Sequence, residues 1–421
     1  MSIGARKVAW DTGLSLGLNI AVRAAGTLIF IALGRLATTA EAGTFSLAMG
    51  YLAILTTLFV GLDDILVREI ARRPERTWAT LATYGLIRLP FSLAAWSALL
   101  LVLAALSLYP PVDLLVLGII TGSILFDAVS ALGQSVLNAH HQFGWPFVAV
   151  LIGSSLELGI ALFAVWRHAG LLAVAWAAPL GASLTAIILA VVLRRTLRAW
   201  PRPAVLIERA RALEILRLMP AFAGTSLLSG LEYQLDVILL SVLATHADVA
   251  QYSAAVTVML IVLIFSQAYR VVLYPMLVRS LAKGHAQASQ LVGRSLALMG
   301  TAGVLAAVVV SAGAPVVINL LFGGRFEMAG PILRVLIWNV VWFFLNVPLV
   351  RFMMAANGQA TVFRVLLISL SVNLVANLIL IPRFGPLGPA YARLLSSGLF
   401  TAIMAGVVGR RLLRPAGVPA V

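Results

Sequence analysis

The chain has 421 residues, 62% hydrophobic and only 11% charged, with a formal net charge of +15 and no cysteine. A soluble domain carries roughly 45–50% apolar and 25% charged residues, so this composition excludes an ordinary soluble protein. The absence of cysteine excludes disulfides, thiolate metal sites and cysteine nucleophiles.

An apolar run of about 20 residues crosses roughly 30 Å of hydrocarbon as a helix. Taken in chain order, twelve such spans are predicted, near 12–33, 44–66, 80–108, 113–137, 146–166, 171–193, 218–243, 250–275, 292–321, 330–355, 361–381 and 387–409. The first run is too long for a cleavable signal and leaves at Gly34–Arg35 without a small-x-small pattern, so it is expected to stay. Placed against these spans, nineteen of the thirty basic residues fall on the side of the N-terminus and four fall opposite, at Arg35, Arg167, Arg325 and Arg383. By the positive-inside rule both termini are expected in the cytoplasm. The surplus charge then faces anionic membrane lipids, and nucleic acid is not an expected partner.

The stretch "RRTLRAWPRPAVLIERARALEILR" (Arg194 to Arg217) is the longest polar segment and divides six spans from six. The expected organisation is an N-terminal lobe at 1–195, a basic cytoplasmic linker at 196–217 and a C-terminal lobe at 218–421. "LATTAEAGTFSLA" (Leu36 to Ala48) returns 207 positions later as "LATHADVAQYSAA" (Leu243 to Ala255), with six of thirteen pairs identical. At an offset of 216, "NAHHQFGWPFVAVLI" (Asn138 to Ile152) lies on "MAANGQATVFRVLLI" (Met354 to Ile368); "RHAGLLAVAWA" and "RFGPLGPAYA" then match with one gap. Each half has an even number of spans, so the repeat is parallel, with a pseudo-two-fold axis along the membrane normal. The fold class expected is all-α integral membrane, with two six-helix lobes flanking a cleft that opens to one side at a time.

The seven remaining basic residues lie inside spans, where an arginine at the bilayer centre costs roughly 2.5 to 3.5 kcal/mol unless paired or wet. Arg23 stands on a stripe with Thr12, Ser15, Asn19 and Thr27 whose spacing places them on one helix face. Arg88, Arg270, Arg351 and Arg364 fall in the cytoplasmic parts of their spans, while Arg393 and Arg334 lie toward the outer side. The fork of a guanidinium suits a phosphate-type anion. Arg23, Arg270, Arg88, Arg351, Arg364 and Arg393 are therefore the candidate substrate cations, with snorkelling to the interface as the alternative for those near it. Asp236 is expected to share a face with Ser226, Ser229 and Tyr233, so Asn19, Ser229 and Tyr233 are the candidate polar lining. Asp127, Glu157, Glu232 and Asp236 are the buried acids. Each is a candidate for coupling to H+ or Na+ or else neutralises an arginine. No other cofactor is expected, and the adjacent His140 and His141 lack the companions of a metal site.

Several stretches carry a resemblance: "AEAGTFSLAM", "GLDDILVREIARR", "LDVILLSVLATHADVAQYSAA", "PVVINLLFGGRFEMAGPILRVL" and "NLVANLILIPRFGPLGPAYARLLSS". In order and spacing they resemble the polysaccharide-flippase (Wzx-type) branch of the multidrug/oligosaccharidyl-lipid/polysaccharide exporter superfamily. The resemblance implies a transporter, not an enzyme, in the bacterial cytoplasmic (inner) membrane. Its expected cargo is a polyprenyl-pyrophosphate-linked oligosaccharide, flipped to the outer leaflet for surface polysaccharide synthesis. Other membrane proteins of polysaccharide assembly are implied as partners. Related lipid flippases also place arginines on the first and eighth helices, where Arg23 and Arg270 stand here. The alternatives are a cation-coupled multidrug antiporter, which would favour acids over the arginines that dominate here, and a membrane polymerase or ligase, which would need larger outer loops.

Overall fold

A computed structural model describes residues 17, 22, 24–198 and 209–413, all helical or in short connections, with no strand among them. Asn19 and Arg23 lie outside the described residues.

The chain divides into two compact units, 1–234 and 235–421. The first holds α1 (Ala24–Leu36), α2 (Thr39–Thr57), α3 (Val60–Arg72), α4 (Thr77–Ala105), α5 (Pro111–Thr121), α6 (Ile124–Ala139), α7 (Gly144–Trp166), α8 (Leu171–Ala175) and α9 (Ala177–Leu197). Helix α10 (Arg209–Leu243) begins in the first unit and ends in the second. The second unit continues with α11 (His246–Lys283), α12 (His285–Phe322), α13 (Ala329–Leu336), α14 (Asn339–Ala355), α15 (Gln359–Phe384) and α16 (Gly388–Leu413).

Among the described residues nine helical stretches are long and apolar enough to cross a membrane, or ten if Ser226–Glu232 and Gln234–Leu243 count as one bent span. The stretch Gln359–Leu412 covers two of the expected spans, as α15 and α16 joined by a 3-10 turn at Gly385–Leu387. Several expected spans are broken where composition alone shows none. α2 gives way to α3 where the hydroxyls of Thr56 and Thr57 both donate to the Ala53 carbonyl, at 3.0 and 2.6 Å. Side chains that bond locally compete with the helical ladder, and Phe59 N–H reaches only three residues back, to Thr56 O at 3.3 Å.

The doubled loop has a local cause. In both copies a threonine caps the following helix: Glu41 N–H donates to Thr38 Oγ1 at 3.2 Å and Asp248 N–H donates to Thr245 Oγ1 at 3.2 Å. The acid answers, accepting from the N–H of Thr38 at 2.9 Å and of Thr245 at 3.1 Å. Each is a reciprocal capping box that satisfies two otherwise orphaned helix donors. That requirement explains why Thr38 is retained as Thr245 while Glu41 becomes Asp248.

The rest of the repeat reappears in the backbone. His141 and Asn357, aligned by the sequence, both have positive φ, 58° and 54°. Gly170 and Gly385, aligned beyond the gap, do so as well, at 82° and 55°. The turns at 122–123 and 337–338, which separate α5 from α6 and α13 from α14, fall at the same register. Inside the first unit, Leu55, Phe59, Leu66, Ile70, Tyr84, Ile124 and Val136 form an apolar core to which Ile215 of α10 adds. Arg211 holds that end of α10 through ion pairs to Glu69 and Glu214.

Candidate functional site: a polar core and an arginine pair in the second unit

Four helices of the second unit send polar side chains to one point. Asp236 comes from α10, Tyr252 from the second turn of α11, Asn377 from α15 and Arg393 from α16. The Asp236 carboxylate accepts from Arg393 Nε at 2.5 Å, from Tyr252 Oη at 2.8 Å and from Asn377 Nδ2 at 2.9 Å. It is 1% exposed, and Arg393 6%. Asn373, one turn before Asn377 and so on the same face of α15, extends the network: Asn377 Nδ2 donates to its side-chain oxygen at 3.1 Å. Asn373 Nδ2 in turn reaches Ser396 Oγ at 3.4 Å. One acceptor of this cluster, Asn377 Oδ1, is buried without a donor.

Arg393 was expected on the outer side as a substrate cation; the structure commits it to Asp236 instead. The partners of Asp236 are on other helices rather than the residues one or two turns before it on α10. Ser229 and Tyr233 have side chains outside the described residues, while Glu232 is half-buried and engaged.

A second feature lies on α11 and α14. Arg270 and Arg351 are close enough for their charges to act on each other, and Tyr274 lies beside Arg351. Both are partly buried and neither forms an ion pair with a described residue, while Arg351 Nε is buried with no hydrogen-bond partner. Five residues earlier on α14, Asn346 Oδ1 is likewise buried and unpartnered. Two like charges brought together without a carboxylate repel each other, and an unmet buried guanidinium N–H is costly. An anion would relieve both. Arg364 and Arg334 are exposed.

In the first unit the buried cation is spoken for. Arg88 donates from Nε to Asp63 at 3.4 Å and from Nη1 to Ser92 Oγ at 2.5 Å, and its guanidinium lies 3.8 Å from the centre of the Phe59 ring. It is 2% exposed, so it does not snorkel to the interface. Asp127 stands within electrostatic reach of Arg88, and Glu157 within reach of Asp127, but neither acid makes an ion pair with a described residue. His140 Nε2 lies 3.4 Å from Thr77 Oγ1, and burial together with the neighbouring His141 pushes its pKa down.

The profile of a family described as polysaccharide biosynthesis proteins matches residues 8–281, well over half of the chain. The chain belongs to that family. It is 27% identical over 176 residues to a probable low-salt glycan biosynthesis flippase, Agl15, of Haloferax volcanii. That match covers 41% of this chain and 36% of the relative's length, so the chain spans only about a third of the curated relative. Among solved structures it is similar to an inward-facing multidrug resistance MATE family transporter of the MOP superfamily, with a TM-score of 0.75 at 13% identity over 95% of this chain and 98% of that one. The lipid II flippase MurJ in an inward closed conformation gives 0.74 at 14% identity, over 94% and 87%. At these identities the likeness is one of fold: this is a multi-pass membrane protein with the transporter fold of the MOP superfamily. Asn373, Asn377 and Tyr252 went unmarked in the sequence, although two asparagines four residues apart in the apolar run "NLVANLILIP" are the kind of signal that marks a polar interior.

Proposed function

We propose that this protein is a flippase that moves a lipid-linked anionic oligosaccharide from the cytoplasmic to the outer leaflet of the bacterial cytoplasmic membrane. The lobes 1–195 and 218–421, joined by the linker 196–217, alternate access with both termini inside. Polyprenyl pyrophosphate is the carrier that suits this reading. The observation that carries it is the pair Arg270 and Arg351: partly buried cations held together with no ion-pair partner among the described residues favour an anionic group, and two guanidinium forks suit adjacent phosphates. The family and the flippase relatives support the same cargo class. Arg23 and Arg364 join the pair as further cargo contacts in this proposal, with Asn19, Ser229 and Tyr233 as polar lining.

For coupling to H+ or Na+, Asp127 and Glu157 are better placed than Asp236, because neither is closed by an ion pair with a described residue. A multidrug antiporter of cationic cargo would favour acids in its pocket, which the Arg270 and Arg351 pair opposes. Export in a strain carrying Arg270→Ala, Arg351→Ala at matched membrane levels is the test. Loss of export with lipid-linked sugar accumulating in the cytoplasmic leaflet is expected. Normal export would leave the anion-binding pair without a role and overturn the reading.

A further inference from the structure

Asp236 is surrounded more completely than an ion-carrying carboxylate needs. Its two oxygens meet a guanidinium, a phenol and a carboxamide from three other helices. Each partner is nearly or fully removed from solvent: Tyr252 at 1%, Asn377 at 0% and Arg393 at 6% exposure. Pulling one partner from a buried pair leaves an uncompensated charge, which costs of the order of a thousandfold in equilibrium. A cycle that opened this pair at every turnover would meet that factor each time.

The repeat supplies an independent argument. Laid on the first half by the same offsets, Asp236 and Tyr252 correspond to Ile29 and Phe45, Asn377 to Ala161, and Arg393 to Ala178. The whole donor set and its acceptor are present in one half and missing together from the other. A lone coupling acid would need no such suite. Asn373, at the edge of the cluster, corresponds to Glu157, the acid that has no ion pair.

We infer that Arg393 is a tethered counter-cation for Asp236, and that the pair is a brace holding α10, α11, α15 and α16 of the second unit in one arrangement while the protein transports, so that Asp236 carries no ion. Among the described residues, the charged and titratable groups facing Asp236 are Arg393 and Tyr252. Arg393 is thereby a positioning residue and not a cargo contact. The statement that this happens during transport rests on the proposed function; the brace itself does not.

The test is a double-mutant cycle on the full chain. Arg393→Gln and Asp236→Asn alone should each lower the melting temperature in detergent by roughly 10 °C, because each leaves one buried charge unpaired. The combination Asp236→Asn, Arg393→Gln should recover most of that loss, and it should export at the wild-type rate at matched membrane levels, equally in sodium and potassium media. A double variant that is stable but does not export overturns the inference, since Asp236 would then act by its charge during the cycle. So does a double variant no more stable than the weaker single one.

Should the double variant fail to insert, the unmodified protein decides. Asn377 Oδ1 is the free acceptor through which an ion would reach this cluster, and a bound ion stabilises by mass action. Equal melting temperatures in sodium and potassium buffers support the brace; a sodium-specific rise that survives Asp127→Asn, Glu157→Gln overturns it. Failure of the cargo reading looks different: export survives loss of Arg270 and Arg351, with these stability results unchanged.

Discussion

The two halves of this protein share a backbone plan and fill it with different chemistry. Both open with a threonine-acid capping box, both turn through a positive-φ residue at His141 or Asn357, and both carry a positive-φ glycine at the matching place. Yet where the second unit places Ser369 and Ser396 between α15 and α16, the first places Gly153 and Gly181 between α7 and α9. In the second unit Ser369 Oγ donates to the Ser396 carbonyl at 2.9 Å, as part of the polar network. In the first, the glycines let two helix backbones approach until no side chain fits. Small residues at such crossings are how membrane helices gain packing without a hydrophobic drive between them. One half is therefore joined by contact and the other by hydrogen bonds and charge. Local backbone devices are thus shared by the two halves while the interiors they enclose are not.

The sharpest way to break the comparison is to write the second half's residue into the first. A Cβ at Gly181 would lie 2.7 Å from Glu157 Cβ and 2.8 Å from the Gly153 carbonyl oxygen, and one at Gly153 would overlap Thr185 Oγ1. The two obstacles at Gly181 are a Cβ and a backbone oxygen, which cannot swing aside. Gly181→Ser should therefore cost about 3 kcal/mol by overpacking, although serine is what α16 tolerates at Ser396. Thermal unfolding in detergent measures it, and a loss below the scatter of the assay would show that α7 and α9 are not held at glycine distance. The reverse change, Ser396→Gly, should be milder, because it removes a side chain from a spacing already built for one.

A smaller effect is expected where an aromatic pair differs by one hydroxyl. Tyr252 and Phe45 occupy the same place in the repeat and are both buried, at 1% and 3% exposure. Tyr252→Phe copies the first half's residue and removes one donor from Asp236 while the ring keeps its packing. A hydrogen bond to a charged group contributes about 1.5–3 kcal/mol, and Arg393 and Asn377 remain in place, so a loss of about 1.5 kcal/mol is expected. Phe45→Tyr brings a phenol next to the region of Ile29, which is buried and apolar. It should also destabilise rather than help. Stabilisation by Phe45→Tyr would mean that the first unit holds an acceptor the repeat does not predict.

The fold was open to reading because its determinants are local. Hydropathy fixes where a helix can cross a membrane, and the capping boxes and αL residues depend on residue type over four or five positions. The polar core was not open in the same way. Arg393 lies 157 residues from Asp236, and Asn377 141 residues away. Nothing in the spacing along α10 announces partners on three other helices, so Asp236 reads as a candidate coupling acid and Arg393 as a candidate substrate cation. Arg88 reads as interfacial for a similar reason, since only the packing of α3 beside α4 brings Asp63 and Phe59 to it. The span breaks escaped because an apolar count does not register a threonine hydroxyl competing for a carbonyl at Ala53. Arg270 and Arg351 read together from the sequence as cations in the cytoplasmic parts of their spans, and the structure adds that they are neighbours.

The smallest effect is the one in which the two halves should agree. Thr38 and Thr245 play the same part in boxes of the same geometry, each with its acid accepting from both the backbone and the hydroxyl of the threonine. Replacing such a cap by alanine removes the acceptor for the third residue of the helix and typically costs about 1 kcal/mol. Thr38→Ala and Thr245→Ala should thus each lower stability by about 1 kcal/mol, and by the same amount within error, despite the different interiors below them. The boxes sit at helix starts where water and headgroups are near, so neither loss is magnified by burial. Equal losses would place the capping boxes among the features that act independently of the core. If Thr245→Ala costs much more than Thr38→Ala, the cap at the start of α11 is helping to hold Tyr252, seven residues on, against Asp236, and the brace would extend to the repeated loop itself.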